Sequence, residues 1–272
     1  MNNKKFEIDM SNGPLFGKIL IFSIPLMLSG ILQLLFSATN MIVAGRYIGE
    51  DALAAIGSTS SLINLLINLF IGLSIGTSVN IAHYYGARKY EDASQTVHTS
   101  ILLSIIGSIG LGIFSFIFAR TFLQLMGTPN EFIDLATTYI RVYFLGIPAM
   151  LLYNFGSAIL RAIGDTKRPL YFLIISGFIN VVLNILFVRF LHLGITGTAL
   201  GTILSECISA TLVLLCLIRH DGCVRLEFSK LHIHKDKLLR ILKIGLPAGL
   251  QGSIFAISNV LPSNATFKGV TW

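Results

Sequence analysis

Residues 19–45 read ILIFSIPLMLSGILQLLFSATNMIVAG, a run of 27 residues between Lys18 and Arg46 with no formal charge. A helix that crosses a bilayer needs about 20 mostly apolar residues, and this run exceeds that. It is also far longer than the 7–15-residue apolar core of a secretory signal, and no A-x-A-like cleavage site follows. The same pattern recurs along the chain. Uncharged runs fill 52–87, 93–119, 142–160 and 169–188, and 190–218 is broken only by Glu206. A last run follows Lys243. Seven spans are therefore expected, near 18–44, 53–80, 94–118, 134–156, 169–190, 197–218 and 239–260. Composition agrees. Charged residues make up 12% of the 272 and hydrophobic ones 54%, against about 25% charged in an ordinary soluble domain. Mean hydropathy is +0.78. Segments of about ten alternating residues, the mark of a membrane barrel, are absent from the sequence. The expected class is an all-α integral membrane protein.

Loop charges predict orientation. The N-terminus, the second, fourth and sixth loops together hold 15 of the 20 Lys and Arg, from Lys4 through Arg88, Arg161 and Arg168 to Lys243. Arg46, Arg120, Arg141 and Arg189 fall on or toward the other side. Cytoplasmic loops carry the excess of basic residues, so a multi-pass protein of the plasma (inner) membrane with a cytoplasmic N-terminus is expected. The net charge of +7 forms no single stripe, which argues against nucleic acid as a partner. Cys207, Cys216 and Cys223 suggest no disulfide framework. His232, His234 and Cys223 have no metal-ligand spacing, and solvated loop positions are expected for them.

Span seven matches span one. Lys18-Ile19-Leu20, Pro25 and Gly30 align with Arg240-Ile241-Leu242, Pro247 and Gly252 at one offset of 222 residues. An even number of spans separates the copies, which implies parallel repeats of six helices each. The expected organisation is a six-helix lobe over 1–218, a basic cytoplasmic linker over 219–238, the first helix of a second lobe over 239–260, and a polar tail over 261–272. Pro262 and the polar residues after it are expected to end the last helix. Residues 227–243 are expected to form an interfacial helix with Leu231, Leu238, Leu239 and Leu242 against the membrane. Pro25 and Pro148 are expected to kink their helices. Gly72 with Gly76 and Gly197 with Gly201 are small-xxx-small pairs that suit close helix packing.

An ionisable residue at the bilayer centre costs roughly 2.5–3.5 kcal/mol on insertion scales, so it needs a reason. Glu206 lies well inside span six. Protonation removes most of that cost, which makes it a candidate proton carrier; the alternative is a paired Glu tying two helices, with Asn180 and Asn184 as expected partners. Asn180 and Asn184 share a helix face at i, i+4, and Thr202 lies one turn before Glu206. Asn40, with Thr39 and Gln33, adds polar groups on span one. Interhelical hydrogen bonding is the competing reading for the asparagines. Asn64, Asn68, Tyr143, Tyr153 and Asn154 are candidates to line a substrate cavity, against the more ordinary reading of contact with protein or lipid.

Several stretches together carry a family resemblance. They are Ser11-Asn12-Gly13-Pro14, Ile42-Val43-Ala44-Gly45-Arg46-Tyr47 with Leu53-Ala54-Ala55-Ile56-Gly57, Ala82-His83-Tyr84-Tyr85-Gly86-Ala87, Gly194-Ile195-Thr196-Gly197-Thr198-Ala199-Leu200 and, most specific, Leu160-Arg161-Ala162-Ile163-Gly164-Asp165-Thr166-Lys167-Arg168-Pro169. The sequence resembles the multidrug and toxic compound extrusion (MATE) transporters. The resemblance implies one six-helix lobe of a twelve-helix, two-lobe transporter, plus the seventh helix. It also implies an antiporter that exports amphipathic, often cationic compounds in exchange for H+ or Na+, with no cofactor. Sodium-coupled members place an Asp on helix 1, an Asn and an Asp four apart on helix 5, and a Thr on helix 6. By motif position these correspond to Asn40, Asn180, Asn184 and Thr202, so two of the acids are amides here. Glu206 stands where members often carry Gln. A truncated, non-functional fragment, a homodimer replacing the second lobe, and a lipid-linked flippase of the same superfamily are the alternatives. A lone helix 7 is expected to be mobile or partly inserted, with Gln251, Ser253, Ser258 and Asn259 lacking partners. A membrane enzyme lacks a convergent catalytic set, and a seven-helix receptor does not suit a cytoplasmic N-terminus.

Overall fold

The computed structural model describes the backbone of residues 15–267 and the side chains of 16–254. The Ser11–Pro14 motif, the side chains of Ser258 and Asn259 and the end of the tail lie outside these described residues. Long helices form where the uncharged runs predict them. They are α1 (Leu15–Tyr47), α2 (Glu50–Gly86), α3 (Tyr90–Leu125), α6 (Lys167–Ile185) and α7 (Gly194–Ile218). All five are long and apolar enough to cross a membrane. Among the described residues there is no strand.

The fourth span is broken. It consists of α4 (Ile133–Leu145) and α5 (Ile147–Ala162), which meet at 50°. Pro148 lies in the first turn of α5, where its missing N–H costs nothing. Gly146 occupies the joint because Ile203 of α7 packs into it: a Cβ there would lie 2.7 Å from the Ile203 side chain. Pro25, by contrast, sits within a single helix α1, where Ser29 donates to its carbonyl at 2.8 Å. Span five ends in a single π-type turn, Leu186–Phe190, a local widening that often marks functional helices.

The core falls into two apolar clusters. One apolar cluster gathers Ala44, Ile56, Leu123, Ile140 and Leu151 on the Arg46 side. The other gathers Ile81, Val97, Leu160, Val213 and Leu226 on the basic side. Outward faces stay apolar, as with Leu34 and Phe178, because lipid replaces water around them. The turn at 161–168 is structural: Gly164 takes φ 88°, and the carboxylate of Asp165 accepts the Arg168 backbone N–H at 3.1 Å and pairs with its guanidinium at 3.3 Å.

Two expectations for the C-terminal part are corrected. No helix begins at 227. The linker runs as a short 3₁₀ turn, Phe228–Lys230, and α8 starts at Lys235. Val224 and Leu226 are buried, and the ring of His98 accepts the Glu227 N–H at 3.1 Å. The linker therefore folds back on the bundle instead of lying on the membrane. His234 stays in the loop, half-buried, and its backbone N–H donates to Thr99 at 3.1 Å. At the same end Lys237 hydrogen-bonds Asp92 and Asp236. Burial disfavours its charge, but these two bonds outweigh burial and hold its pKa above the ordinary lysine value.

The C-terminal helix among the described residues is α8 (Lys235–Phe267). It lies along α2 through a glycine seam. A Cβ on Gly72 would strike the Gly249 backbone, one on Gly76 would lie 2.5 Å from the Ile241 carbonyl, and one on Gly249 would lie 2.7 Å from the Leu69 carbonyl. Without side chains in the way, the two backbones touch. Asn68 donates to the Gly252 carbonyl at 3.3 Å, and Ser253 to the Leu65 carbonyl at 3.3 Å. Ser253 thus has a partner, whereas Gln251 is exposed. The backbone helix continues past Pro262 to Phe267, beyond the stop expected there.

Candidate functional site

Three helices bring amides and hydroxyls together inside the bundle. Asn40 comes from α1, Asn180 and Asn184 from α6, and Thr202 and Ser205 from α7. The Asn184 amide donates to Asn40 Oδ1 at 2.8 Å. Asn40 donates to Thr202 Oγ1 at 3.2 Å. Asn180 donates to Thr202 Oγ1 at 3.4 Å and to Ser205 Oγ at 3.2 Å. Asn180 and Asn184 are 4% and 0% exposed, so water does not compete for these bonds. The approach depends on glycines. A Cβ on Gly201 would lie 3.3 Å from the Asn184 backbone nitrogen, and one on Gly177 would overlap the Phe36 ring of α1. Gly201 brings α7 close to α6, and Gly177 does the same for α1.

All four positions suggested by motif register therefore meet, although 162 positions separate Asn40 from Thr202. Ser205 escaped sequence reading; its signal was its place one turn beyond Thr202 on the same helix face. The cluster holds no carboxylate. It does hold spare acceptors: Asn184 Oδ1 and the nearby Thr198 Oγ1 are buried without a hydrogen-bond partner among the described residues.

Glu206 does not join the asparagines. Its carboxylate accepts from Ser209 Oγ at 3.4 Å, and it faces the joint of the broken span. There a crevice of about 10 Å³ is bounded by Tyr143, Gly146, Met150, Thr202 and Glu206, at the threshold for one water. The expected pairing with Asn180 and Asn184 fails because Glu206 is rotated toward α4 and α5. Thr202 touches both places, since it also bounds the crevice.

The other cavity candidates do not converge. Gln33 on α1 and Asn64 on α2 are exposed. Asn68 belongs to the α2–α8 seam. Tyr143 donates to Met150 Sδ at 3.9 Å beside the crevice. Tyr153 is buried and donates to the Pro169 carbonyl at 3.0 Å, bracing the turn. Asn154 bonds back to the Met150 carbonyl at 3.0 Å. Among the described residues no group of His, Cys, Asp or Glu is placed to hold a metal ion.

Several long apolar helices around a largely buried polar cluster make this a multi-pass membrane bundle. The chain belongs to the MatE family, whose model matches residues 25–186. It is 32% identical to the probable multidrug resistance protein YpnP of Bacillus subtilis (strain 168), over 94% of this chain and 58% of that protein. It is 34% identical to the probable multidrug resistance protein YoeA of the same organism, over 88% of this chain and 53% of that one. A solved structure described as the crystal structure of MATE in the bent conformation superposes with a TM-score of 0.80 at 30% identity, over 86% of this chain and 52% of that one. The chain thus spans about half the length of the relatives it matches.

Proposed function

We propose that this chain is the first lobe, with the opening helix of the second, of a secondary active multidrug efflux antiporter in the plasma membrane. Its N-terminus is cytoplasmic in this reading, and its substrates are amphipathic, often cationic compounds. The observation that carries the proposal is the buried Asn40–Asn180–Asn184–Thr202–Ser205 cluster across α1, α6 and α7. A polar network in the middle of a bundle is costly to retain without use, and its unfilled acceptors suit a cation or a proton donor. Proton coupling fits better than sodium. The cluster offers amide and hydroxyl oxygens only, and a hard cation binds such neutral sets weakly without a carboxylate. Glu206, reached through Thr202, supplies the titratable acid.

Export requires one lobe to move against another. The α2–α8 seam is where the second lobe would join, and a separately supplied second half or another copy of the chain would complete the path. The test is drug resistance in a strain lacking its own efflux pumps. The chain is expressed alone and then with the second half of an intact relative. Resistance in the pair but not in the chain alone is expected. Resistance from the chain alone would overturn the two-lobe requirement, and none in either case would overturn the transport reading.

A further inference from the structure

A second cavity lies on the outward face of the bundle, away from the polar cluster. Its volume is about 390 Å³, and it forms where the bend between α4 and α5 leaves α3. Ile109, Ile113 and Phe116 of α3 form one wall, and Leu145 and Pro148 the other. Ile109, Ile113, Phe116 and Leu145 are between 47% and 67% exposed, so this face meets lipid. One charge borders it. Arg141 projects over the Phe116 ring at 5.2 Å, and among the described residues no carboxylate pairs with it.

The depth of that charge is informative. The α4–α5 pair, residues 133–162, is about 45 Å of helix at 1.5 Å per residue. Bent by 50°, the pair reaches about 41 Å end to end, so a hydrocarbon core of about 30 Å leaves roughly 5 Å beyond it at each end. Arg141 lies about 11 Å in depth from the start of α4, hence roughly 5 Å inside the core boundary. An arginine side chain is long enough to cross that distance and carry its guanidinium to the lipid phosphates. A bare cation there is expensive, and a planar guanidinium binds a phosphate through paired hydrogen bonds.

We propose that this cleft holds one anionic phospholipid, with its phosphodiester on Arg141 and an acyl chain in the groove between α3 and the α4–α5 bend. Charge complementarity selects the occupant. A cation within reach of the phosphates above an apolar slot matches a lipid with net negative charge, whereas a zwitterionic lipid carries a cationic group that Arg141 repels. The lipid then packs against the bend that also bounds the Glu206 crevice, so its presence wedges the joint at Gly146.

The experiment is native mass spectrometry of the purified full chain with added phosphatidylglycerol or phosphatidylcholine, backed by thermal melts in the same detergent. The parent is expected to retain one phosphatidylglycerol at least tenfold more tightly than phosphatidylcholine. Arg141→Gln should remove that preference and Arg141→Lys should keep part of it. Ile113→Trp, which fills the groove and leaves the charge, should weaken both lipids. Soluble glycerol phosphate should not compete at concentrations that saturate the lipid; competition would assign the site to the phosphate alone and overturn the lipid proposal. Equal retention of both lipids by the parent, or undiminished phosphatidylglycerol preference in Arg141→Gln with a parent-like melt, would also overturn it. If Arg141→Gln melts lower without lipid, the Ile113→Trp result decides: unchanged retention there refutes the site.

Discussion

Replacing Gly72 tests whether α8 is held by backbone contact with α2. The Gly72→Ala methyl would strike Gly249 and lie 2.5 Å from the Gly245 carbonyl oxygen. Carbon atoms prefer about 3.5 Å or more, so the helices must part by about 1 Å. Overpacking of this kind costs about 1–3 kcal/mol. The hydrogen bonds from Asn68 to Gly252 and from Ser253 to Leu65, both 3.3 Å, stretch with it, at about 0.6 kcal/mol each inside a membrane. Docking should weaken by about 2–4 kcal/mol, or about 30- to 700-fold. Gly72→Leu adds a branched chain that a 1 Å opening does not accommodate.

The seam itself supplies the assay. A Cβ at Gly252 would lie 3.5 Å from that of Asn68, inside the range a disulfide spans. Asn68→Cys with Gly252→Cys, in a chain whose Cys207, Cys216 and Cys223 are alanine, should cross-link on mild oxidation. Loss of thiols reactive toward a maleimide-polyethylene glycol measures the rate. Gly72→Ala should slow the reaction at least tenfold and Gly72→Leu should abolish it. Cross-linking of the leucine variant at the parent rate would refute the glycine seam, and so would failure of the parent pair to cross-link at all.

Three further outcomes are expected. Glu206→Gln, tested with the second half supplied, should cut proton-driven dye export by at least tenfold at unchanged expression, and export at the parent rate would make Glu206 structural. Asn40→Asp places a carboxylate between Asn184 and Thr202 and should give export a dependence on sodium absent from the parent, read as dye efflux with and without a sodium gradient. Lys237 has a folded pKa above its unfolded value of about 10.4, so its contribution to stability is complete below that pH and is lost as pH rises toward the folded value; Lys237→Gln should lower the thermal midpoint by about 3–6 °C at pH 7 to 10, and the gap to the parent should close above pH 10.5.

Local sequence determined the long helices. A bilayer accepts only long uncharged stretches, so the charge-free runs mark α1, α2, α3, α6 and α7 within a few residues, and the basic loops separate the two ends of the bundle. Gly72 and Gly76 announce a close contact, because a missing Cβ is visible in a sequence, but the partner is not. The face shared by Asn180 and Asn184 follows from their spacing. Their meeting with Asn40 was legible only through family register, since no local rule relates residues that far apart. Tertiary structure decided the rest. The break at Gly146 depends on Ile203 arriving from α7, and the direction of Glu206 depends on the rotation of α7 about its own axis. Periodicity gives the relative angles of residues on one helix, but a helix that is apolar nearly all round carries little information about which neighbour each angle will face. Packing against α4, α5 and α6 sets that rotation, and it turns Thr202 toward both polar sites and Glu206 toward only one.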